Sequence, residues 1–221
     1  MQRLVLFDLD NTLVDRHGTL ADWTTDFTTR HGLGDEARQE LLDLLGERAY
    51  PSSFEEIRTR YRLADTVESL WSSYCADIAA MVSCPSHVLS GLEELHTQGW
   101  RIGIATNGAT DIQMAKLRAT GILARVHGVC VSEGAAARKP DTRHFAAAAE
   151  RCGTTLATGG WMIGDNPVND IGGGRAAGLS TMWIADSSGW PAELPEPDRR
   201  VPHARAAIDL LLADRTWRNT T

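Results

Sequence analysis

Asp8 and Asp10 stand two residues apart, directly after the apolar run Leu4-Val5-Leu6-Phe7. Far along the chain, Gly164-Asp165-Asn166-Pro167-Val168-Asn169-Asp170 puts two more carboxylates after another apolar run, Trp161-Met162-Ile163. Carboxylates that share a site repel one another unless a cation sits among them. An all-oxygen donor set favours magnesium, which binds through one or two carboxylates together with substrate phosphate. Asp8 can then turn one oxygen to the metal and use the other as a nucleophile. Asp10 is within reach of a leaving group, where it can donate a proton and later activate water. Thr106-Asn107-Gly108 ends a third apolar run, just before a helix expected from Thr110. A hydroxyl and the amides of Asn107 and Gly108 at a helix N-terminus suit phosphate. Lys139, in Arg138-Lys139-Pro140-Asp141, can supply the fixed cation that a transferring phosphoryl group needs. Taken singly, these residues have plainer readings: turn aspartates, a helix cap, a solvated lysine, and for Asp170 a favourable acid in a helix's first turn.

They can meet only if the apolar runs are strands of one sheet. Residues 4–7, 102–105, 126–131, 161–163 and 181–184 are short and continuously apolar, as strands buried on both faces are. Helical patterns separate the later runs: Ile112, Ala115 and Leu117, then Phe145, Ala148, Ala149 and Cys152, then Val168, Ile171 and Ala176. Gly121, Gly153 and Gly178 stand where helix C-caps are expected. This alternation predicts an α/β fold with a doubly wound, Rossmann-like parallel sheet. In such a sheet the strand C-termini share one edge, where ligands bind. Asp8, Asp10, Thr106, Asn107, Asp165 and Asp170 should therefore converge there.

Residues 15–84 contain no convincing strand. Leu20, Trp23 and Phe27 fall at helical spacing, as do Leu41, Leu44 and Leu45, then Phe54, Ile57 and Tyr61, then Val67, Leu70, Trp71, Tyr74 and Ile78. We read four helices, the third opened by a Ser53–Glu56 capping box. Pro85 and Ser86 open a helix that returns to the sheet with Leu89, Leu92 and Leu95. The tail after Gly189 holds Pro191, Pro195, Pro197 and Pro202 and reads as a loop. A closing helix carries Ala206, Ile208, Leu210 and Leu211, and the last few residues should fray. The expected division is a catalytic core of residues 1–14 and 85–221, with a small helical cap domain of residues 15–84 inserted after the first strand.

With those motifs in place, the chain resembles the haloacid dehalogenase-like hydrolase superfamily. The resemblance rests on Asp8-Leu9-Asp10-Asn11-Thr12-Leu13-Val14, the Thr106-Asn107 turn, Lys139-Pro140 and Gly164-Asp165-x4-Asp170, in that order over about residues 4 to 184. The helical insert resembles the cap of the subfamily with four helices at that point. The resemblance implies a nucleophilic Asp8, a general acid/base Asp10, and phosphate contacts from Thr106 and Lys139. It implies magnesium held by Asp8, the Asp10 backbone carbonyl and Asp165, with Asp170 in support. The superfamily's dehalogenases lack an aspartate at the position of Asp10, because a halide leaving group needs no proton. The expected activity is therefore Mg-dependent hydrolysis of a small phosphorylated metabolite through an aspartyl-phosphate. The alternatives are a sugar phosphomutase, a haloacid dehalogenase or a non-enzymatic phospho-receiver. Receivers lack the large insert, and their lysine follows the last of the site strands.

The rest of the sequence fits that reading. Of 221 residues, 43% are hydrophobic and 23% charged, and the net charge of -7 invites neither nucleic acid nor an anionic membrane. Four apolar residues before Asp8 are too few for a signal-peptide core or a membrane span. Cys75, Cys84, Cys130 and Cys152 form no CxxC pair, which suits a reduced, cytoplasmic compartment. His17, Arg138, Arg58, Arg60 and Arg62 read as surface residues, with His17 and the cap arginines as further substrate contacts to test. Trp23, Tyr50, Tyr61, Trp71 and Tyr74 read as cap packing. Gly172-Gly173-Gly174 reads as a close helix–sheet approach rather than a phosphate loop, since no Lys-Ser/Thr follows. Substrate and oligomeric state are not legible.

Overall fold

The computed structural model describes residues 3–135, 137–185 and 189–214. Six parallel strands form one sheet in the order β3-β2-β1-β4-β5-β6. They are β1 Arg3–Phe7, β2 Trp100–Thr106, β3 Gly128–Val131, β4 Trp161–Gly164, β5 Ser180–Ile184 and β6 Arg199–Val201. The order reverses at β1, which makes its carboxyl end the switch point of a doubly wound sheet. Alternation along β1 serves both helical layers. Val5 and Phe7 pack with Leu92 and Ile208 on one face, and Leu4 and Leu6 pack with Phe145 and Ala148 on the other. Each such side chain contributes about 1.5–3 kcal/mol by leaving water. The register pairs Phe7, the last residue of β1, with Ile104 and with Ile163; β2 runs on to Thr106 and β4 to Gly164, and the residues that follow all three share one rim.

Between β1 and α5 (Ser86–Thr97) lie α1 (Arg16–Arg30), α2 (Asp35–Gly46), α3 (Pro51–Tyr61) and α4 (Val67–Met81). Their apolar faces close over an aromatic core of Trp23, Phe54, Trp71 and Tyr74, with Trp23 edge-on to Tyr74 at 4.9 Å. This core reaches α6 (Thr110–Ala119) through Ala109 and Ile112, and Trp71 Nε1 donates to Asp111 at 3.3 Å. The remaining helices are α7 (Thr142–Arg151), α8 (Gly173–Ala176) and α9 (Ala204–Ala213). Among the described residues, no single helix is long and apolar enough to cross a membrane.

Several expectations are corrected. The proline-rich tail holds a strand: β6 pairs Arg199 with Met182 and Val201 with Ile184. It has only three residues, and only Val201 is buried, so periodicity carries no signal. Pro197 and Pro202 flank it at the sheet edge, where proline costs no ladder bond. The Ser53–Glu56 capping box does not form. Tyr50 is the N-cap and Pro51 takes the first helical position, placing Ser53 inside the first turn. The pattern Val168–Ile171–Ala176 is not one helix. A π-helical turn, Pro167–Gly172, precedes the four-residue α8, and Val168 is 52% exposed. The segment before β3 is a 3₁₀ turn, Leu123–Arg125, so that strand starts at Gly128 rather than residue 126. In α9 the buried face is Ala204, Ala207, Ile208 and Leu211, with Leu210 exposed. The expected fraying at the C-terminus lies outside the described residues. Cys130 and Cys152 are buried free thiols, whereas Cys75 and Cys84 are half-buried.

The glycine triad divides by position. A Cβ on Gly173 would come within 2.8 Å of the Phe145 ring and Pro140 Cα, and one on Gly174 within 2.8 Å of Met162 Cβ. One on Gly172 meets nothing nearer than 3.5 Å. Gly173→Ala should therefore cost about 1–3 kcal/mol by overpacking, while Gly172→Ala should be neutral or gain up to about 1 kcal/mol. Urea unfolding of the pair checks this, and equal effects would contradict it.

His144 on α7 is wholly buried; its Nδ1 lies 3.0 Å from the Ala137 carbonyl, and Nε2 has no partner among the described residues. Burial pushes its pKa down to about 4. The unfolded chain takes up this proton near pH 6.5, the folded one only near pH 4, so stability falls as pH drops through that window. The stability advantage of wild type over His144→Leu should shrink by roughly 2 kcal/mol between pH 7 and pH 4.5. A difference that stays constant with pH, read from urea midpoints, would show that the histidine protonates as readily folded as unfolded and would contradict this account.

Candidate active site

Asp8 leaves β1 with its N–H donating to the Ile163 carbonyl of β4 at 2.9 Å. The chain then turns tightly. The Leu9 carbonyl accepts from Thr12, Leu13 and Val14, and Asn11 takes a left-handed conformation with φ 56°. Asn11 Oδ1 accepts from the N–H groups of Arg16 and His17 at 3.2 and 3.1 Å, launching α1 directly from the site. Thr12 Oγ1 lies 3.5 Å from Asp165 Oδ1.

Lys139 occupies the centre. Its side chain is 2% exposed, and Nζ donates to Asp8 Oδ1 at 2.7 Å and Asp170 Oδ1 at 2.6 Å. The Asn107 side chain clamps the lysine's backbone, donating to its carbonyl at 3.0 Å and accepting from its N–H at 2.9 Å. Asp170 is wholly buried, and its Oδ2 accepts from the Asn166 N–H at 3.0 Å. Gly164 permits this, because a Cβ there would lie 2.3 Å from that oxygen. Trp183 Nε1 donates to the Asp165 carbonyl at 2.7 Å and fixes that residue from β5.

Asp8, Asp165 and Asp170 each offer a carboxylate oxygen within 4.8 Å of the others. Burial, with Asp170 and Asp165 nearby, raises Asp8 well above the usual carboxylate range against the pull of Lys139. Burial and Asp170 push Asp165 up to about 6. For Lys139, burial opposes the charge, but Asp170 and Asp8 outweigh it and raise its pKa. Three carboxylates held together at such cost, with one lysine among them, fit a divalent cation with oxygen ligands. The Asp10 side chain does not join this cluster.

Asp10 faces a second network. Lys116 Nζ donates to both its oxygens at 2.7 and 3.0 Å, Gln113 Nε2 donates to Oδ2 at 3.1 Å, and Arg16 Nε lies 3.8 Å away. Burial opposes ionisation of Asp10, but the charges of Lys116 and Arg16 outweigh it and hold the carboxyl below its usual value. Gln113 also donates to Thr106 Oγ1 at 2.6 Å. The Gly108 N–H donates to Ser132 Oγ at 3.0 Å and the Thr110 N–H to Glu133 at 2.8 Å. The expected phosphate contact from the Gly108 amide is thus already engaged, because residues after β3 cap this helix.

Sequence reasoning missed Gln113, Lys116 and Arg16. The signal for the first two lay in α6. Gln113 sits four residues before Leu117, and Lys116 four after Ile112, so both fall on the apolar stripe and are buried. Arg16 had no such mark. It donates to the Leu45 carbonyl at 2.6 Å and to that of Gly46, joining the end of α2 to the site.

A cavity of about 320 Å³ opens over Asp8, Asp10, Lys139 and Asp165, walled on the helical side by Arg16, His17, Gly46 and Glu47. His17 is exposed yet lines it. Arg58 instead donates to the Asp65 carbonyl and Arg60 pairs with Glu40 and Glu56, away from this cavity.

Residues 5–184 match the family of haloacid dehalogenase-like hydrolases. The phosphoserine phosphatase of Thermus thermophilus is 34% identical over 116 residues, covering 52% of this chain and 45% of that protein. The phosphoglycolate phosphatase of Caulobacter vibrioides is 29% identical over 188 residues, covering 82% of this chain and 78% of that protein. The chain spans under half the length of the first curated relatives it matches. The magnesium-bound crystal structure of YfnB from Bacillus subtilis shares the fold, with a TM-score of 0.74 at 21% identity over 95% of this chain and 98% of that one. A family match running from the first strand to the fifth, on a sheet of this order, means that the chain belongs to the haloacid dehalogenase-like hydrolases.

Proposed function

We propose that the protein is a magnesium-dependent phosphatase of small phosphomonoesters, working through an aspartyl-phosphate on Asp8. The observation that carries this reading is the buried lysine between Asp8 and Asp170, with Asp165 completing a carboxylate cluster beside it. The relatives' names as phosphatases support the same class.

In this reading Asp8 attacks phosphorus, and the Asp8 Oδ–P bond forms as the ester P–O bond breaks. Asp10 must enter this step protonated, and it gives that proton to the departing oxygen, which leaves as an alcohol. Asp10 then takes a proton from the water that attacks the aspartyl-phosphate, releasing inorganic phosphate and restoring Asp8. Lys139, Thr106 and the Asn107 amide hold the phosphoryl oxygens, and the lysine offsets their charge. Magnesium would be held by Asp8, the Asp10 carbonyl and Asp165, with Asp170 in support. When bound it supplies further charge neutralisation at the phosphoryl group. Asp10 separates this chemistry from dehalogenation, where the leaving halide needs no proton. Residues 15–84 act as a cap that closes over the cavity and excludes bulk water. Free thiols throughout suit a reducing compartment such as the cytoplasm.

Asp8→Asn, near-isosteric, should fold normally and lose at least about a thousandfold in turnover. Inorganic phosphate release from p-nitrophenyl phosphate reads this out, and an active variant would remove Asp8 from the mechanism. EDTA should silence the enzyme and added magnesium restore it. Full activity in EDTA would contradict a carboxylate-held metal.

A further inference from the structure

We infer that Lys116 and Gln113 are positioning residues that aim the Asp10 carboxyl at the leaving-group oxygen. The inference rests on the proposed phosphatase reading. Neither residue belongs to the motifs that carry the resemblance. Both come from α6, a helix whose other inward residues are apolar.

A lysine is rarely buried unless it is paired. Lys116 is 4% exposed, and its ammonium is fully spoken for: two bonds to Asp10 and one, at 2.9 Å, to Gln113 Oε1. That last bond fixes which way the Gln113 amide points. Its Nε2 must then face Asp10 Oδ2 and Thr106 Oγ1, as the 3.1 and 2.6 Å distances require. The four side chains form one closed set linking the proposed acid/base to the proposed phosphate-binding hydroxyl. Gly108 lies against this set, where a Cβ would sit 3.1 Å from Gln113 Cγ. Asp10 itself still reaches the cavity, with 18% of its side chain exposed.

A free aspartate side chain has several rotamers, and only those that place an oxygen within hydrogen-bonding distance of the departing atom transfer a proton. Two-point contact with Lys116 removes that freedom before substrate arrives. Thr106 is fixed by the same amide, so phosphate and proton donor are held in one frame. This is preorganisation by residues that do not touch the substrate.

The test uses two phosphomonoesters with different leaving groups. An alkyl phosphate such as glycerol phosphate needs a proton on its departing oxygen. p-Nitrophenyl phosphate releases a phenolate that is stable without one. Because kcat/KM reports steps up to departure of the leaving group, it isolates the transfer to Asp8. Lys116→Met keeps the apolar stem and removes the charge. Its kcat/KM should fall about tenfold to a hundredfold for glycerol phosphate, part of the roughly 10²–10⁴ that a general acid supplies. For p-nitrophenyl phosphate it should stay within about threefold of wild type. Lys116→Arg should move the ratio of the two values back toward wild type. If Lys116→Met fails to melt cooperatively, Gln113→Met cuts the same set from its other end; because it also frees Thr106, both values should fall, that for glycerol phosphate about tenfold further. Equal losses on both substrates, or none, would overturn the inference while leaving the phosphatase reading intact. A wild-type protein that releases no phosphate from either substrate would overturn both.

Discussion

The ammonium of Lys139, held between the carboxylates of Asp8 and Asp170, is the interaction on which the rest of the site depends. Taking three charged groups out of water costs several kcal/mol each unless each is paired. Lys139 meets that condition for two strands at once, since Asp8 follows β1 and Asp170 follows β4. Its own backbone is fixed from β2 through Asn107. Four separate pieces of chain therefore have to finish at the same depth. The parallel register that pairs Phe7 with both Ile104 and Ile163 provides this. The sheet's apolar strands provide the stability, and the rim provides the place where charge is tolerated.

Around this centre the molecule keeps two electrostatic compartments apart. Asp8, Asp165 and Asp170 crowd one another, which raises Asp8 and Asp165 above the usual carboxylate range. Asp10, only two residues from Asp8, is drawn the other way by Lys116 and Arg16. The two neighbouring aspartates thus sit in opposite electrostatic settings, one among like charges and one among cations. Arg16 extends the second compartment to the carbonyls that end α2, so the helical segment touches the Asp10 side of the cavity rather than the carboxylate cluster.

Much of this was legible in the sequence for a physical reason. Strands buried on both faces must be continuously apolar, so Asp8, Thr106 and Asp165 stood out as the residues where each run stops. The four inserted helices were legible because each has one apolar stripe, down to Trp23 and Tyr74 in their common core. What escaped notice was structure without periodicity. β6 has a single inward residue. The turn after Asp165 is π-helical because Asp170 must fold back onto Asn166, which no hydrophobic pattern encodes. The network of Gln113 and Lys116 escaped because polar residues on a helix are read as solvated, although their spacing from Ile112 and Leu117 put them on the buried stripe.

The central claim is that this charge arrangement makes the Asp8 carboxylate bond to phosphorus. Acid quench of the enzyme during turnover of a phosphomonoester carrying a labelled phosphoryl group, followed by peptide mass spectrometry, reads that bond directly. The account predicts a hydroxylamine-labile label on the peptide containing Asp8 and on no other. Label on a different residue, or sustained turnover with none trapped on the protein at any quench time, would contradict it.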